Sequence, residues 1–415
     1  MLSLKNESKK LKLFVAITLT IFLVTCIATS LFYGNELLLG SLDKMDNDDV
    51  KYLRSANTLL ETGKLTYKNP NESTVFIMPG IVFVLAPFVK IFGMIGAITP
   101  FRIFSAFIQT GSLYMIFLLA RKMFNNKVAI VSLILSAIYI PNIYMTSLLL
   151  TETIFLFFFM LLCLIVIQGL EKKEFKYYIV GGIVWGLAAL FRPSIGLFPL
   201  VILGMWLIKK YTLREMFKFG LAASVAFVIV MSPWWIRNAV VFNRFIPFTL
   251  STGNPMLLGM FEWNKVDEEL IKKLNNDNLQ YTGNEIIDND IQVEMAHRVF
   301  KCKLKENPIT YLAWHTVGKI GMNFAQGYIM NPIYGLNYPQ LIFQHELYVV
   351  LAIIALILAG VYKFKNQWKW FAIFIIIYFI AVHIPFLAYS RYMYPVMPFI
   401  IILASSLVNM VPKRM

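Results

Sequence analysis

The side chains best suited to chemistry in this sequence are carboxylates and guanidiniums at the ends of apolar runs. Asp46-Asn47-Asp48-Asp49 puts three aspartates within four residues, just after a first apolar segment. A helix start favours one acid there, because the macrodipole stabilises it by ~0.3–1 kcal/mol. Three acids exceed that need and point to a catalytic or metal-binding role for the cluster. Glu152, in Leu150-Thr151-Glu152-Thr153, is the only acid between Glu72 and Glu171. An ionisable group held against a membrane segment is costly and marks a functional position unless it merely reaches interfacial water. Arg192 lies in Phe191-Arg192-Pro193, Arg391 in Ser390-Arg391-Tyr392, and Arg237 follows Pro233-Trp234-Trp235-Ile236. Guanidinium groups meet phosphate oxygens bidentately and stay charged when partly desolvated. The bland alternative for any one of them is snorkelling to lipid headgroups. Together they suggest a site for an anionic lipid.

These groups need a membrane scaffold to position them. Of 415 residues, 58% are hydrophobic and only 15% charged, where a soluble chain has roughly a quarter charged. Leu13–Asn35, Val128–Thr151, Trp370–Ser390 and Tyr392–Pro412 are free of charge, and each exceeds the ~18 residues of a spanning helix. The fold class expected is an all-α polytopic membrane protein with about ten transmembrane helices. They are placed at roughly 11–33, 101–120, 128–146, 154–170, 177–191, 194–208, 219–235, 347–362, 370–388 and 393–411. With the N-terminus inside, half of the 38 Lys and Arg residues fall on inner segments, among them Lys5, Arg121, Lys172, Lys209, Lys363, Lys365, Lys413 and Arg414. That asymmetry is the positive-inside rule, and it accounts for the formal charge of +15 without nucleic acid. The first apolar segment is about twice the usual signal-peptide core in length and reads as a retained anchor.

Two outer regions remain. Residues 34–100 form a first loop with an amphipathic helix after Asp48, capped by Asp46 or Asn47 and stopped at Gly63. Ser73–Val89 is uncharged but broken by Pro79 and Pro87, which suits an interfacial helix rather than a crossing. Residues 236–346 are polar and turn-rich and are expected to form a small extracytoplasmic cap. The division is thus 1–235, an N-terminal transmembrane module carrying the 34–100 loop; 236–346, the cap; and 347–415, the C-terminal helices. The three cysteines form no disulfide framework, the four histidines lack metal-ligand spacing, and no nucleotide-binding glycine motif is present.

In order along the chain these motifs resemble the GT-C polyprenyl-phosphate-sugar glycosyltransferases, particularly the protein O-mannosyltransferase and aminoarabinose-transferase branch (family 39). Asp48-Asp49-x-x-Tyr52 is similar to that family's Asp-Glu-x-x-Tyr at the start of the first outer loop. Arg102-Ile-Phe-Ser105, Ala120-Arg121-Lys122-Met-Phe124, Thr151-Glu152-Thr153, Pro233-Trp234-x-x-Arg237-Asn238 and Ser390-Arg391-Tyr392-x-x-Pro395-x-x-Pro398 resemble its later motifs. The likeness covers residues 1–260 and 380–412; 265–345 resemble nothing named. Asp49 stands for the family's Glu, Glu152 for an Asp, and Met78 for a Lys found in some relatives.

The resemblance implies an inverting transfer from a polyprenyl-phosphate sugar to a hydroxyl acceptor at the outer face of a plasma membrane. The acceptor would be a lipid, a protein or a cell-wall polymer. Asp48 is then the expected general base. Arg192, Arg237 and Arg391, with Tyr392, are expected to hold the donor phosphate. Glu152 or Asp49 is expected to orient the acceptor or to share a divalent cation with Asp48. Both termini are expected in the cytoplasm. The rival reading is a transporter or flippase of polyprenyl-linked sugars, which would show related halves; no repeat is visible.

Overall fold

The computed structural model describes residues 4, 7–275, 279–361 and 366–409. Lys5, Lys363, Lys365, Lys413 and Arg414, assigned above to the inner face, lie outside the described residues. Described secondary structure is helical. In chain order the helices are α1 Lys9–Tyr33, α2 Asp48–Thr62, α3 Gly80–Phe92, α4 Ile98–Met123, α5 Asn126–Ile138, α6 Ile140–Tyr144, α7 Glu152–Lys172, α8 Phe175–Ala189 and α9 Pro199–Ile208. They continue with α10 Leu213–Phe242, α11 Gly253–Gly259, α12 Glu268–Leu274, α13 Glu285–Glu306, α14 Pro308–Ala313, α15 Lys319–Asn323, α16 Tyr338–Val361, α17 Trp368–His383 and α18 Met397–Ser405.

Among the described residues six helical stretches are long and apolar enough to cross a membrane: Lys9–Leu37, α4, α7, α10, Tyr338–Gly360 and Ser390–Asn409. A seventh is the pair Asn126–Ile138 and Ile140–Ser147, bent by 62°. The other three expected crossings fall on shorter apolar helices, α8, Pro193–Ile208 and α17. Burial sorts them into layers. α4, α7 and Ser390–Asn409 are mostly enclosed, whereas α1, α10 and α16 are mostly open. Their exposed faces carry Leu13, Ile17, Ile21 and Val24, then Leu221, Val225, Val228 and Ile229, then Val350, Ile353, Ile354 and Ile357. Apolar stripes of that extent, at three-to-four spacing, are surfaces for lipid tails rather than water.

The first loop behaves as its residues dictate. Asn47 caps α2 by accepting from the Asp48 amide at 2.7 Å, and Gly63 ends the helix at φ +72°. α3 starts at Gly80 and contains Pro87; its 13 residues span about 20 Å, short of the ~30 Å hydrocarbon core. The Gly80 amide donates to the Leu190 carbonyl at 2.9 Å. A Cβ at Gly80 would stand 2.6 Å from that carbonyl oxygen, so only glycine lets α3 meet the turn before Arg192.

Beyond the bundle, α11–α13 enclose a small apolar core of their own: Leu257, Met260, Phe261, Met295, Ala296 and Val299. α10 runs on to Phe242 and α16 begins at Tyr338, so both extend into the stretch that sequence assigned wholly to the cap.

Candidate active site

Four chain segments bring charged groups to one place. Asp48 opens α2, Glu152 opens α7, Arg192 lies between α8 and a 3₁₀ turn at Pro193–Ile195, and Arg391 stands in a 3₁₀ helix, Ser390–Val396. Arg192 is extended, φ −143° and ψ 123°, as the residue before a proline must be. Arg391 is the hub. Its Nη1 donates to Asp48 Oδ2 at 2.7 Å, its Nη2 to Glu152 Oε2 at 3.2 Å, and its Nε to Glu152 Oε1. Arg192 Nη1 donates to Glu152 Oε1 at 2.9 Å. Two acids and two guanidiniums thus form a neutral, interlocked quartet. Its exposure is graded: the Glu152 side chain is 0% exposed, both arginines 12%, and Asp48 33%.

Three members of the quartet stand in the wall of a cleft of about 520 Å³. Asp48, Arg192, Arg391 and Tyr392 line it, with Tyr52, Tyr67, Phe76 and Phe248 among its aromatic walls and Thr249, Ser251 and Thr252 adding hydroxyls. Tyr392 stacks on His383 at 4.8 Å. Glu152 lies behind the arginines and does not line the cleft. It therefore holds the guanidiniums rather than meeting a bound molecule.

Tyr67 is the residue that sequence reasoning missed. Its hydroxyl donates to Asp48 Oδ1. It is placed by the Thr74 amide bonding back to the Leu65 carbonyl, by Ser55 of α2 donating to the Thr66 carbonyl, and by stacking on Phe76 at 5.5 Å. No local pattern marks it, because its position depends on a fold-back of the loop. Burial pushes the Asp48 carboxyl up, but the charge of Arg391 and the Tyr67 hydroxyl outweigh this and hold it below its ordinary value.

Besides Glu152, two further expected site residues are not brought to the cleft. Asp49 turns the other way, accepting from the amides of Leu39 at 2.7 Å, Gly40 at 3.2 Å and Val50 at 2.8 Å. It anchors the chain leaving α1, and burial pushes its carboxyl up. Asp49→Asn places an NH₂ group against backbone donors. It is expected to lower stability by about 1–3 kcal/mol, read as a lower thermal midpoint of the purified chain. Arg237 donates to the Thr74 carbonyl at 2.7 Å and to Asn238 Oδ1 at 3.0 Å. It ties α10 to the first loop and is absent from the cleft wall.

The donor set also does not suit a divalent cation shared by Asp48 and Glu152. Arg391 bridges the two carboxylates, and Tyr67 takes the remaining Asp48 oxygen. Among the described residues no group of three or more His, Cys, Asp or Glu side chains could hold a metal. A hard cation wants six or more oxygens, and here the oxygens face N–H and O–H donors.

Residues 76–236 match the family model described as dolichyl-phosphate-mannose-protein mannosyltransferase. No curated protein matches the chain in sequence. Among solved structures, the Archaeoglobus fulgidus oligosaccharyltransferase tethered with an acceptor peptide containing the NVT sequon is similar in fold, with TM-score 0.53 and 11% identity, over 95% of this chain and 49% of that one. The archaeal oligosaccharyltransferase AglB from the same organism, in complex with an inhibitory peptide and a dolichol-phosphate, gives TM-score 0.50 and 13% identity over 98% and 53%. ArnT from Cupriavidus metallidurans bound to undecaprenyl phosphate gives TM-score 0.44 and 14% identity over 95% and 76%. The chain spans about half the length of the oligosaccharyltransferases.

Proposed function

We propose, from the premise that this multi-pass membrane chain has the GT-C glycosyltransferase fold, that it moves a sugar from a polyprenyl-phosphate donor to a hydroxyl acceptor. The observation that carries this reading is Arg391 joined to both Asp48 and Glu152, beside Arg192, in the wall of an aromatic cleft. The archaeal oligosaccharyltransferase that shares the fold is held with a dolichol-phosphate, a lipid phosphate of the same chemical class.

In the proposed step the acceptor oxygen bonds to the anomeric carbon as the bond from that carbon to the phosphate oxygen breaks. The acceptor proton passes to Asp48. The leaving polyprenyl phosphate keeps the electron pair and gains one negative charge, which Arg391 and Arg192 stabilise. A single displacement inverts the anomeric carbon. Glu152 fixes both guanidiniums beforehand, and Tyr392 borders the donor side. No step is routed through a metal. Aromatic walls offer faces to a sugar ring, and the hydroxyls of Thr249, Ser251 and Thr252 offer hydrogen bonds.

The proposed topology keeps ten crossings, counting α8, Pro193–Ile208 and α17, with both termini inside and 253–323 forming an outer cap. α7 supports it: Glu152 opens this helix of 21 residues and Lys172 closes it, about 30 Å away. At that far end Lys122 pairs with Glu171 at 2.6 Å and Lys173 with Glu215 at 2.8 Å. By the positive-inside rule the lysine-rich end is cytoplasmic and the quartet faces outward, as in a plasma membrane.

The reading is tested with the purified chain in lipid nanodiscs and a polyprenyl-phosphate sugar, following release of polyprenyl phosphate. Absence of release with every hydroxyl acceptor class, at full donor occupancy, would sink it. The same assay gives a pH prediction. Asp48 is held below its ordinary value, so its charged form persists until pH falls through that lowered value. The acidic limb of kcat/KM is expected below the ordinary range of an aspartate carboxyl. Tyr67→Phe removes one stabilising donor and is expected to move the limb upward. A wild-type limb near neutrality would assign the base elsewhere.

A further inference from the structure

Arg391 stands two residues after a segment, Ile384–Tyr389, that has no helix of its own. Phe386, Leu387 and Tyr389 from this segment also line the cleft. Its backbone is held from the α11–α15 region. The Leu387 amide donates to the Pro255 carbonyl at 2.7 Å, and the Tyr389 amide to Asn323 Oδ1 at 2.8 Å. Asn264 Nδ2 donates to the Ala388 carbonyl at 3.0 Å. Gly259 lets α11 press directly on the segment, since a Cβ there would stand 2.4 Å from the Phe386 carbonyl carbon.

The central contact is Lys319, the first residue of α15. Its side chain is 0% exposed, and Nζ donates to the carbonyls of Ile384 at 2.7 Å and Phe386 at 2.9 Å. Among the described residues no carboxylate forms an ion pair with it. A buried charge satisfied only by carbonyls is expensive, and burial pushes this ammonium down to about 7. Leucine or methionine would fill such a site at lower cost if packing were the only need. One π-helical turn, Trp314–Gly318, precedes Lys319; such turns interrupt helix periodicity and recur at functional sites.

We propose that Lys319 is a positioning residue for donor use: it holds Ile384–Tyr389 against the 253–323 helices and so sets where Arg391 stands. The part of the chain outside the family-model match (residues 76–236) thereby supplies part of the site geometry. This rests on the transferase reading for its donor, but not for the clamp itself.

The test uses the full chain in nanodiscs, with amide exchange read by mass spectrometry and binding read with undecaprenyl phosphate. Lys319→Met is expected to speed exchange across 385–392 while leaving α4 and α7 protected. It is expected to weaken undecaprenyl phosphate binding about tenfold, the scale of one charge-assisted hydrogen-bonding group. Lys319→Arg, which keeps charged donors, is expected to recover most of that affinity. Asn264→Ala should act in the same direction more weakly, and decides the matter if Lys319→Met fails to fold. Unchanged exchange in 385–392, or faster exchange with wild-type affinity, overturns the proposal. If the wild-type chain binds no undecaprenyl phosphate, the donor reading and the role given to Lys319 fall together. The exchange data then still report separately whether the clamp exists.

Discussion

Asp48→Asn is expected to lower glycosyl transfer by about 10²–10⁴-fold, the range for removing a general base, with little change in thermal midpoint. Asparagine has nearly the shape of aspartate, and its carbonyl oxygen still accepts from one of the two donors that face it, Arg391 and Tyr67. What it lacks is an oxygen able to take a proton. The stability effect is small because the Asp48 side chain is 33% exposed and Arg391 keeps Glu152 as its buried ionic partner; an ion pair with one member open to solvent is worth about 1 kcal/mol after screening. Removing one negative charge from a neutral quartet leaves it positive, so affinity for the anionic donor is expected to hold or rise while kcat falls. Asp49→Asn reverses the pattern, lowering stability more and turnover less. Initial rates and undecaprenyl phosphate affinity for the two variants, at matched protein levels, separate these cases. Wild-type turnover in Asp48→Asn would eliminate the base assignment.

That contrast between neighbours shows where sequence reasoning stops. A helix following the aspartate run, with its cap at Asp46 or Asn47 and its stop at Gly63, was legible because caps are local chemistry; the structure selects Asn47. The convergence of Asp48, Glu152, Arg192 and Arg391 was also legible: each stands at one end of an apolar run, and charge asymmetry puts those ends on one side. Which way each side chain turns was not legible. Successive helix residues are rotated by about 100°, so Asp48 faces the cleft while Asp49 faces the Leu39 and Gly40 amides. Arg237 has the right residue type at the right depth, yet the Thr74 carbonyl reaches it first. Tyr67 and Lys319 carry no local signal. One depends on a loop folding back on α2, the other on a helix cluster meeting a segment 65 residues further along the chain.

Arg391→Ala is expected to fail twice, in stability and in transfer, and the two failures separate experimentally. Glu152 is 0% exposed and would keep only Arg192 as an ionic partner. Breaking a buried pair by removing one partner costs about 3–5 kcal/mol, so the thermal midpoint should fall sharply. Arg391→Lys keeps the charge but not the fork: an ammonium cannot reproduce the planar, three-nitrogen contact with Glu152 and Asp48. It is expected to be intermediate in stability and poor in transfer. The decisive variant is the double Glu152→Gln/Arg391→Met. It removes the fully buried charge together with Arg391 and leaves a glutamine carbonyl for Arg192 to donate to, so its thermal midpoint is expected to stand well above that of Arg391→Ala, short of wild type by the lost Arg192 and Asp48 pairings. Transfer should stay down by about 10²–10³-fold, the loss for one preorganised group that stabilises developing charge. Thermal unfolding and donor turnover on the same nanodisc preparations read both quantities. A double variant as unstable as Arg391→Ala would mean that the quartet is not held by mutual charge pairing. A stable double variant with normal turnover would remove Arg391 from the chemistry and leave Arg192 as the cation for the departing phosphate.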